Sequence, residues 1–283
     1  MWADDFHHAL HTVLTGESSG YYAGFGTLTD LAKALERVYV YDGIWSPAQR
    51  RSHGRPVGSV ARWHFVVAAQ NHDQIGNRAQ GDRLAHLVSP AALSVAAALA
   101  LLAPATPLLF QGEEWGASTP FLYFAQFPDP ALAAAVSQGR RAEFAAFGWD
   151  PDDIPDPVAA STFERSRLQW DERVKPEHAA ILEWHKALLS LRRTRPEFTD
   201  SRASRNRAVA DETNRWLRLD RGGSSVVANF GDATVDVPLP ELALDPGRAP
   251  ITSARRVLLT SAERIELADG SVNVPAMAVV VVG

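Results

Sequence analysis

The sequence predicts an α/β fold of the barrel type, followed by a small all-β domain. The first observation is an apolar run at 65–69 that has the character of a buried strand and ends in polar residues at 70–73. A core strand with polar groups at its carboxyl end is typical of an α/β barrel. The second observation is a helix at 90–103 followed by another apolar strand at 106–111, an alternation that indicates parallel strands joined by crossovers. The third is a change after Pro196, where short strands replace helices.

The N-terminal part of the chain is predicted to hold two amphipathic helices. Residues 2–14 repeat apolar side chains at helical spacing after an acidic turn, and Asp4 or Asp5 is the expected N-cap. Residues 27–40 carry a leucine-rich stripe at the same spacing. The segment 41–62 is rich in glycine, proline, arginine and serine, and a loop of this length suggests a functional rim.

The rest of the chain divides into a polar central region, a long helix and a β domain. Residues 117–175 are irregular apart from a short alanine-rich helix near 129–146, and a helix is predicted at 176–194, where an early proline and late arginines mark its ends. We therefore expect two domains, 1–197 and 198–283, the second of a size typical of a β-sandwich. Its predicted strands are 215–220, 224–230, 234–239, 255–260, 263–267 and 272–282.

The composition is that of an ordinary globular protein. Hydrophobic residues make up 46% of the 283 residues, charged residues make up 22%, and the formal net charge is −5. This acidic balance, with a pI near 6.0, argues against nucleic acid or an anionic membrane as a partner. The absence of cysteine excludes disulfides, zinc–thiolate sites and cysteine nucleophiles.

The sequence contains no recognisable signal peptide or membrane span. The N-terminus has neither a basic region nor an apolar one. The apolar helix at 90–103 is about 21 Å long, against a hydrocarbon core of about 30 Å. We therefore expect a soluble, cytoplasmic protein.

Four stretches of the chain carry a resemblance to a known family. They are 70–83 (QNHDQIGNRAQGDR), 2–11 (WADDFHHALH), 112–124 (GEEWGASTPFLYF) and 162–168 (TFERSRL). Taken in their order along the chain, they resemble the α-amylase superfamily, glycoside hydrolase family 13, and within it the maltooligosyltrehalose trehalohydrolases. The resemblance implies that 1–197 is the C-terminal part of a catalytic (β/α)8 barrel, with about strands six to eight. It also implies hydrolysis of the α-1,4 bond next to a terminal trehalose unit in maltooligosyl trehalose, a step of trehalose biosynthesis.

The same resemblance implies roles for individual residues. Asp73 would be the third carboxylate of the site, which supports the transition state, and His72 would bind a sugar hydroxyl. Retaining glycosidases build positive charge on the sugar ring, and hydrogen bonds to its 2-hydroxyl strengthen as they do so. An ionised aspartate can accept such a bond. Further substrate contacts are expected from Gln70, Asn71, Asp4, Asp5, His7 and Trp115.

Several of these residues also have a purely structural interpretation. Asp73 could cap the turn before Gly76, and the acidic pair at 4–5 could cap a helix. Trp115 could stack on a pyranose, but tryptophan is also a common core residue. His7 and His11 are spaced like a metal-binding pair, yet the resembling family uses no such metal, and we expect neither a metal nor a cofactor.

The resembling family needs two further carboxylates, a nucleophile and a general acid/base, after the fourth and fifth strands. Both motifs are expected upstream of Trp2, so the sequence predicts a chain truncated at its N-terminus. Because loss of a general acid alone costs about 10²–10⁴-fold in rate, we expect negligible hydrolysis by these 283 residues alone.

Three other functions compete with this one. The protein could be another α-1,4-glucan-active member of the superfamily with different subsites. It could be a non-catalytic carbohydrate-binding fragment that keeps the polar rim and the β domain. The least favoured alternative is a metal-dependent hydrolase that uses His7, His11, His72 and Asp73. The sequence does not fix the preferred glucan length or the oligomeric state.

Overall fold

The computed structural model describes residues 1–145, 150–240 and 255–283. The chain divides into two compact units. The first consists of Met1–Ala69, Val88–Leu108 and Glu183–Gly283, and the second of Gln70–Leu87 and Leu109–Leu182.

The elements within these described residues, in chain order, are as follows. The α-helices are α1 (Asp4–Thr15), α2 (Leu28–Arg37), α3 (His72–Gly76), α4 (Leu84–Leu87), α5 (Pro90–Leu101), α6 (Pro130–Ala145), α7 (Ala160–Arg165), α8 (Pro176–Thr194) and α9 (Pro196–Thr199). The strands are β1 (Trp45–Ser46), β2 (Arg51–Ser52), β3 (Val66–Val67), β4 (Thr106–Pro107), β5 (Asn206–Asp211), β6 (Trp216–Arg221), β7 (Ser224–Asn229), β8 (Val235–Pro238), β9 (Val257–Thr260), β10 (Glu266–Ala268), β11 (Ser271–Val274) and β12 (Ala278–Val282).

Three short segments of the first unit lie side by side and run parallel. The Val66 N–H donates to the Met1 carbonyl at 2.8 Å, and the Ala3 N–H donates to the Val66 carbonyl at 2.9 Å. On the other side β3 pairs in parallel with β4. The predicted parallel arrangement of the strands near 66 and 106 is therefore confirmed, although the regular strands are shorter than the predicted runs. The chain between them supplies α5, which is largely buried.

Helix α1 begins two residues later than predicted, and its N-cap differs from the expected one. The cap residue is Ala3, and Asp4 and Asp5 occupy the first helical turn, so the expectation that either acid caps the helix is wrong. Acids in a first turn are still favourable, because they face the positive end of the helix dipole. The Asp5 carboxylate accepts hydrogen bonds from the N–H groups of Val40 and Tyr41 instead.

Helix α2 is shorter than predicted. It opens on a capping box in which the Thr27 hydroxyl accepts from the Asp30 N–H and the Asp30 carboxylate accepts from the Thr27 N–H. It ends at Arg37 rather than at 40, because Val38 has a φ of 79°. A β-branched residue in that conformation is strained and cannot continue a right-handed helix.

The predicted helix at 176–194 is confirmed as α8, and that near 129–146 is observed as α6. Residue 146 lies outside the described residues. The Arg192 side chain of α8 donates to the carbonyls of Leu101, Ala103 and Ala105. These carbonyls lie at and beyond the C-terminus of α5, where a helix leaves acceptors without intrahelical partners. The contact between α8 and the end of α5 thus satisfies main-chain carbonyls that the helix itself leaves without donors.

The strands after α9 form two antiparallel sheets. One has the order β5–β6–β7–β12–β9 and the other the order β10–β11–β8. The two sheets share one apolar core, whose buried members are Trp216, Val227, Val237, Leu239, Val272, Val274, Ala278, Val280 and Val282. The predicted hairpin of β6 and β7 is confirmed, whereas β5 was not predicted.

The run at 272–282 was predicted as one strand and is observed as two. Strand β11 ends at Val274 and β12 begins at Ala278, with Pro275 and Met277 between them. Proline removes a ladder donor, and Met277 has a φ of 44°, so neither residue fits a regular strand. The interruption lets the chain leave the three-stranded sheet and enter the five-stranded one.

The all-β segment contacts two helices of its own unit. Helix α2 packs against β5 and β6, and α5 packs against β7 and β12. The Glu36 carboxylate of α2 also accepts from the Ala208 N–H of β5 at 2.9 Å. Within the described parts of the chain, no helix is both long enough and apolar enough to cross a bilayer.

Candidate active site

The polar turn after β3 is organised by Asn71. Its side chain accepts from the Asp73 N–H at 2.8 Å, and its own N–H donates to the Gln74 side chain at 2.9 Å, which makes a complete capping box for α3. Asn71 is therefore buried and occupied with the backbone, whereas His72 and Asp73 are exposed. A cap by Asn71 contradicts the alternative in which Asp73 only caps the turn, and it leaves the Asp73 carboxylate facing solvent.

The C-terminal end of α3 is held by a buried arginine of α6. Arg140 donates to the carbonyl of Gly76 and, at 3.4 Å, to the side-chain oxygen of Asn77. Asn77 in turn donates to the Asp73 carboxylate at 3.2 Å. The guanidinium of Arg140 also lies 4.5 Å from the ring centroid of Phe144. These contacts link Arg140 to Asp73 through Asn77, and sequence reasoning missed them because Arg140 lies in an alanine-rich helix far along the chain.

Gln70 is buried inside the second unit. Its side-chain oxygen accepts from the Leu84 N–H at 2.9 Å. Glu113 is 9% exposed and accepts from the Phe110 N–H at 3.1 Å. Burial raises the pKa of Glu113 to about 8, a shift that the neighbouring Glu114 reinforces and that Arg83 opposes. Glu113 was not among the predicted site residues, although the adjacent acids at 113–114 were a visible signal.

Arg83 is a buried arginine that contacts the segment at 110–119. Its side chain donates to the carbonyls of Thr119 at 2.6 Å and Gln111 at 2.7 Å, and it lies 5.3 Å from the ring centroid of Phe110. Burial lowers the pKa of Arg83 to about 10, so it remains charged at neutral pH. Its bonds therefore join the segment that carries Arg83 to the backbone at Gln111 and Thr119.

Trp115 occupies the interior of the second unit rather than its surface. The residue is 1% exposed, and its ring centroid lies 5.2 Å from that of Trp170. A sugar stacks on an aromatic face only when that face is accessible, so this burial favours the alternative in which Trp115 is a packing residue. We therefore do not assign it a substrate contact.

The predicted residues near the N-terminus belong to the first unit and differ in their accessibility. Asp4 is exposed. Asp5 is half-buried and holds the backbone at 40–41, and burial raises its pKa. His7 is 3% exposed, with its ring nitrogens 2.7 Å from the Ala69 carbonyl and 3.3 Å from the Tyr22 hydroxyl. Asp4 is the one residue of these three that is exposed, whereas Asp5 and His7 are engaged with groups of the same unit.

The histidine pair at 7 and 11 is engaged in other contacts. The His11 ring lies 2.7 Å from the Glu17 carboxylate and stacks on the Tyr22 ring with a centroid separation of 4.2 Å. Among the described residues, no group of three or more histidines and acids has an arrangement that could hold a metal ion. The structure therefore offers no support for the metal-dependent alternative.

Comparison with known proteins identifies close relatives. The chain is 45% identical to the malto-oligosyltrehalose trehalohydrolase of Rhizobium sp. (strain M-11), over 246 residues that make up 86% of this chain and 41% of that protein. It is 39% identical to the enzyme of the same name from Deinococcus radiodurans, over 96% of this chain and 45% of that protein. The chain thus spans less than half of the length of these curated relatives. No family model matches it.

A solved structure supports the same relationship. A Salmonella typhimurium protein named as a candidate α-amylase superposes with a TM-score of 0.82 at 34% identity, over 99% of this chain and 46% of that one. The fold of the chain is therefore that of the α-amylase barrel enzymes over the part that it covers. The expected resemblance is confirmed: this chain belongs to the malto-oligosyltrehalose trehalohydrolase family.

Proposed function

We propose that the intact protein releases trehalose from maltooligosyl trehalose by cleaving the adjacent α-1,4-glucosidic bond. The observation that carries this proposal is the exposed pair His72–Asp73, presented on a capped turn that follows a parallel strand. The names of relatives at 39–45% identity supply the substrate class. Glycosidic hydrolysis needs no metal or cofactor, and the proposal includes none.

In this proposal Asp73 acts as the third carboxylate of a retaining mechanism. Its exposed oxygens would accept hydrogen bonds from sugar hydroxyls that become more acidic as the ring gains positive charge. His72 would orient a second hydroxyl, and Asp4 would also contact the substrate. Gln70, Asn71, Asp5 and His7 would act indirectly, because each is engaged with protein groups. The nucleophile and the general acid/base would come from other residues of the intact protein.

The finer architecture is part of the same proposal. The segment order 1–3, 65–67 and 106–108 fits strands six, seven and eight of a (β/α)8 barrel, and the two sheets with a shared core fit a β-sandwich. We propose the domain boundary at 197/198, within α9 and shortly before the strands begin, although helices of the first domain contact the sheets. A cytoplasmic location is likewise a proposal.

The experiment is a product analysis on two substrates. The protein, expressed with every residue that its coding sequence supplies, is incubated separately with maltooligosyl trehalose and with plain amylose. We expect free trehalose from the first and much slower cleavage of the second. Equal rates on both would identify another α-glucan-active member of the family, and sugar binding without any product would identify a carbohydrate-binding protein.

A further inference from the structure

The short helix α3 is held at its C-terminal end by a side chain from another helix. Arg140 of α6 donates to the Gly76 carbonyl and, at 3.4 Å, to the side-chain oxygen of Asn77. The side-chain nitrogen of Asn77 donates to the Asp73 carboxylate at 3.2 Å, and the Asn77 N–H donates to the Asp73 carbonyl at 3.1 Å. Asn77 is therefore joined to Asp73 through both its backbone and its side chain.

The two partners of the Asn77 side chain decide which way its amide group points. A guanidinium can only donate hydrogen bonds, and an ionised carboxylate can only accept them. The amide oxygen must therefore face Arg140, and the amide nitrogen must face Asp73. A half-turn of the amide would break both contacts, so Arg140 and Asp73 select the same orientation.

Arg140 is a buried anchor for this network. The residue is 9% exposed, and its guanidinium lies 4.5 Å from the ring centroid of Phe144 and 5.0 Å from that of Tyr123. Asn77, by contrast, is exposed, as Asp73 is. The contacts thus run from a buried charged group to a carboxylate that solvent and substrate can reach.

We infer that Asn77 and Arg140 are positioning residues for the proposed reaction: Arg140 orients the amide of Asn77, and that amide sets the rotation of the Asp73 carboxylate. The bond is made to one carboxylate oxygen, Oδ1, so it limits rotation about the Cβ–Cγ bond. That torsion is otherwise broad in aspartate, and only part of its range could present an oxygen to a given sugar hydroxyl. This inference deepens the proposed function and rests on it for the role of Asp73.

A kinetic test on the intact protein addresses the consequence. Asn77→Ala removes the donor to the carboxylate and should lower kcat for trehalose release by about 10- to 100-fold. The change in KM should be much smaller, because a misoriented carboxylate weakens contacts that strengthen in the transition state. The matched control is Arg141→Ala, at the exposed neighbour of Arg140 in α6, which should keep the wild-type kcat. A wild-type kcat for Asn77→Ala, or a change confined to KM, would overturn the inference.

A double variant separates positioning from a purely structural role of Arg140. Arg140→Lys keeps the charge but loses the fixed plane of donors, so by itself it should also lower kcat. If Arg140 acts through Asn77, the same change in the Asn77→Ala background should cause no more than about a twofold further loss. If Arg140 only stabilises the fold, or if Asn77 contacts the sugar independently of it, the two losses should multiply. Losses that multiply would therefore contradict the inference.

A spectroscopic test addresses the contacts without any substrate. In the intact protein labelled with ¹⁵N-asparagine, the side-chain amide signals of Asn77 are identified by their loss in Asn77→Ala. We expect these signals to shift in Asp73→Ala and in Arg140→Lys, because each change removes or alters one partner of the amide. Asp171→Ala, at an exposed aspartate of the same unit, should leave them in place. Asn77 signals that stay unchanged in either Asp73→Ala or Arg140→Lys would overturn the inference.

The tests distinguish failure of this inference from failure of the proposed function. If the wild type releases no trehalose, the proposed function fails, while the Asn77 amide signals still report whether Arg140 and Asp73 hold that side chain. If trehalose is released but Asn77→Ala retains the wild-type kcat, the function stands and the inference fails.

Discussion

At the scale of single residues, neighbouring residues of the turn at 70–73 differ in burial and in what they contact. Asn71 caps α3 with its side chain, and this leaves the Asp73 carboxylate to accept a single observed bond from Asn77. His72 and Asp73 face solvent, while Gln70 and Asn71 are buried. The first two residues of this short segment are therefore held by the protein, and the next two are accessible to solvent.

The first prediction concerns Asp73. We expect Asp73→Asn to lower kcat for trehalose release by at least about 100-fold, because a neutral amide stabilises the developing positive charge far less than a carboxylate. The measurement is trehalose release under saturating maltooligosyl trehalose. Asp171→Asn, at an exposed aspartate of the same unit, is the matched control and should keep wild-type activity. A wild-type rate for Asp73→Asn would remove Asp73 from the site.

The second prediction is a pH dependence of stability caused by Glu113. Its pKa is raised from 4.5 to about 8 in the folded protein, so between these values the folded state binds more protons than the unfolded state. The free energy of unfolding should therefore fall as pH rises through this window. Glu113→Gln lacks the titrating group, and its stability relative to the wild type should increase with pH by on the order of a few kcal/mol. Urea unfolding at pH 5, 7 and 9 measures this, and a difference that does not change with pH would contradict it.

At the scale of elements, hydrogen bonds from arginine to main-chain carbonyls recur where helices meet other segments. Arg192 donates to a carbonyl at the end of α5, and Arg140 donates to one at the end of α3. Arg62 donates to the Glu36 carbonyl in the last turn of α2. Each guanidinium supplies several donors in a fixed plane, and helix C-termini offer several acceptors. These contacts join elements that are distant in sequence, so sequence periodicity does not reveal them.

The third prediction tests one of these junctions. Arg192→Ala should reduce the free energy of unfolding by about 1.5–3 kcal/mol, because it removes charged donors from partly buried carbonyls. The matched control is Arg193→Ala, the next residue of the same helix, which is exposed and should change stability by less than about 0.5 kcal/mol. Chemical denaturation of both variants measures the difference. Equal effects would show that the Arg192 contacts add nothing to stability.

At the scale of the whole molecule, the sequence predicted those features that depend on local pattern. Helix α8 has its predicted ends, and the parallel pairing near residues 66 and 106 follows from strand–helix alternation. The predictions that failed depend on tertiary context. Strand β5 has weak alternation of its own and is stabilised by β6 and α2, and the early end of α2 requires the unusual backbone of Val38.

At the candidate site, too, the sequence did not predict the features that depend on tertiary context. The resemblance pointed to the exposed pair at 72–73, but Arg140, whose side chain contacts Gly76 and Asn77 at the end of the same short helix, lies far along the chain and meets it only after folding. Conversely, Trp115 and His7 are the residue types expected at a sugar site, and the structure buries both. Residue type and motif therefore predicted the chemistry, whereas burial and hydrogen bonding decide which residues are available for it.

The most direct test of the central claim is a crystal structure of the intact protein with maltooligosyl trehalose, prepared with Asp73→Asn to prevent turnover. The account predicts a glucose ring whose hydroxyls lie within hydrogen-bond distance of His72 and of the residue at position 73. A substrate chain bound only at a surface remote from this turn would contradict the assignment of Asp73 and the function built on it.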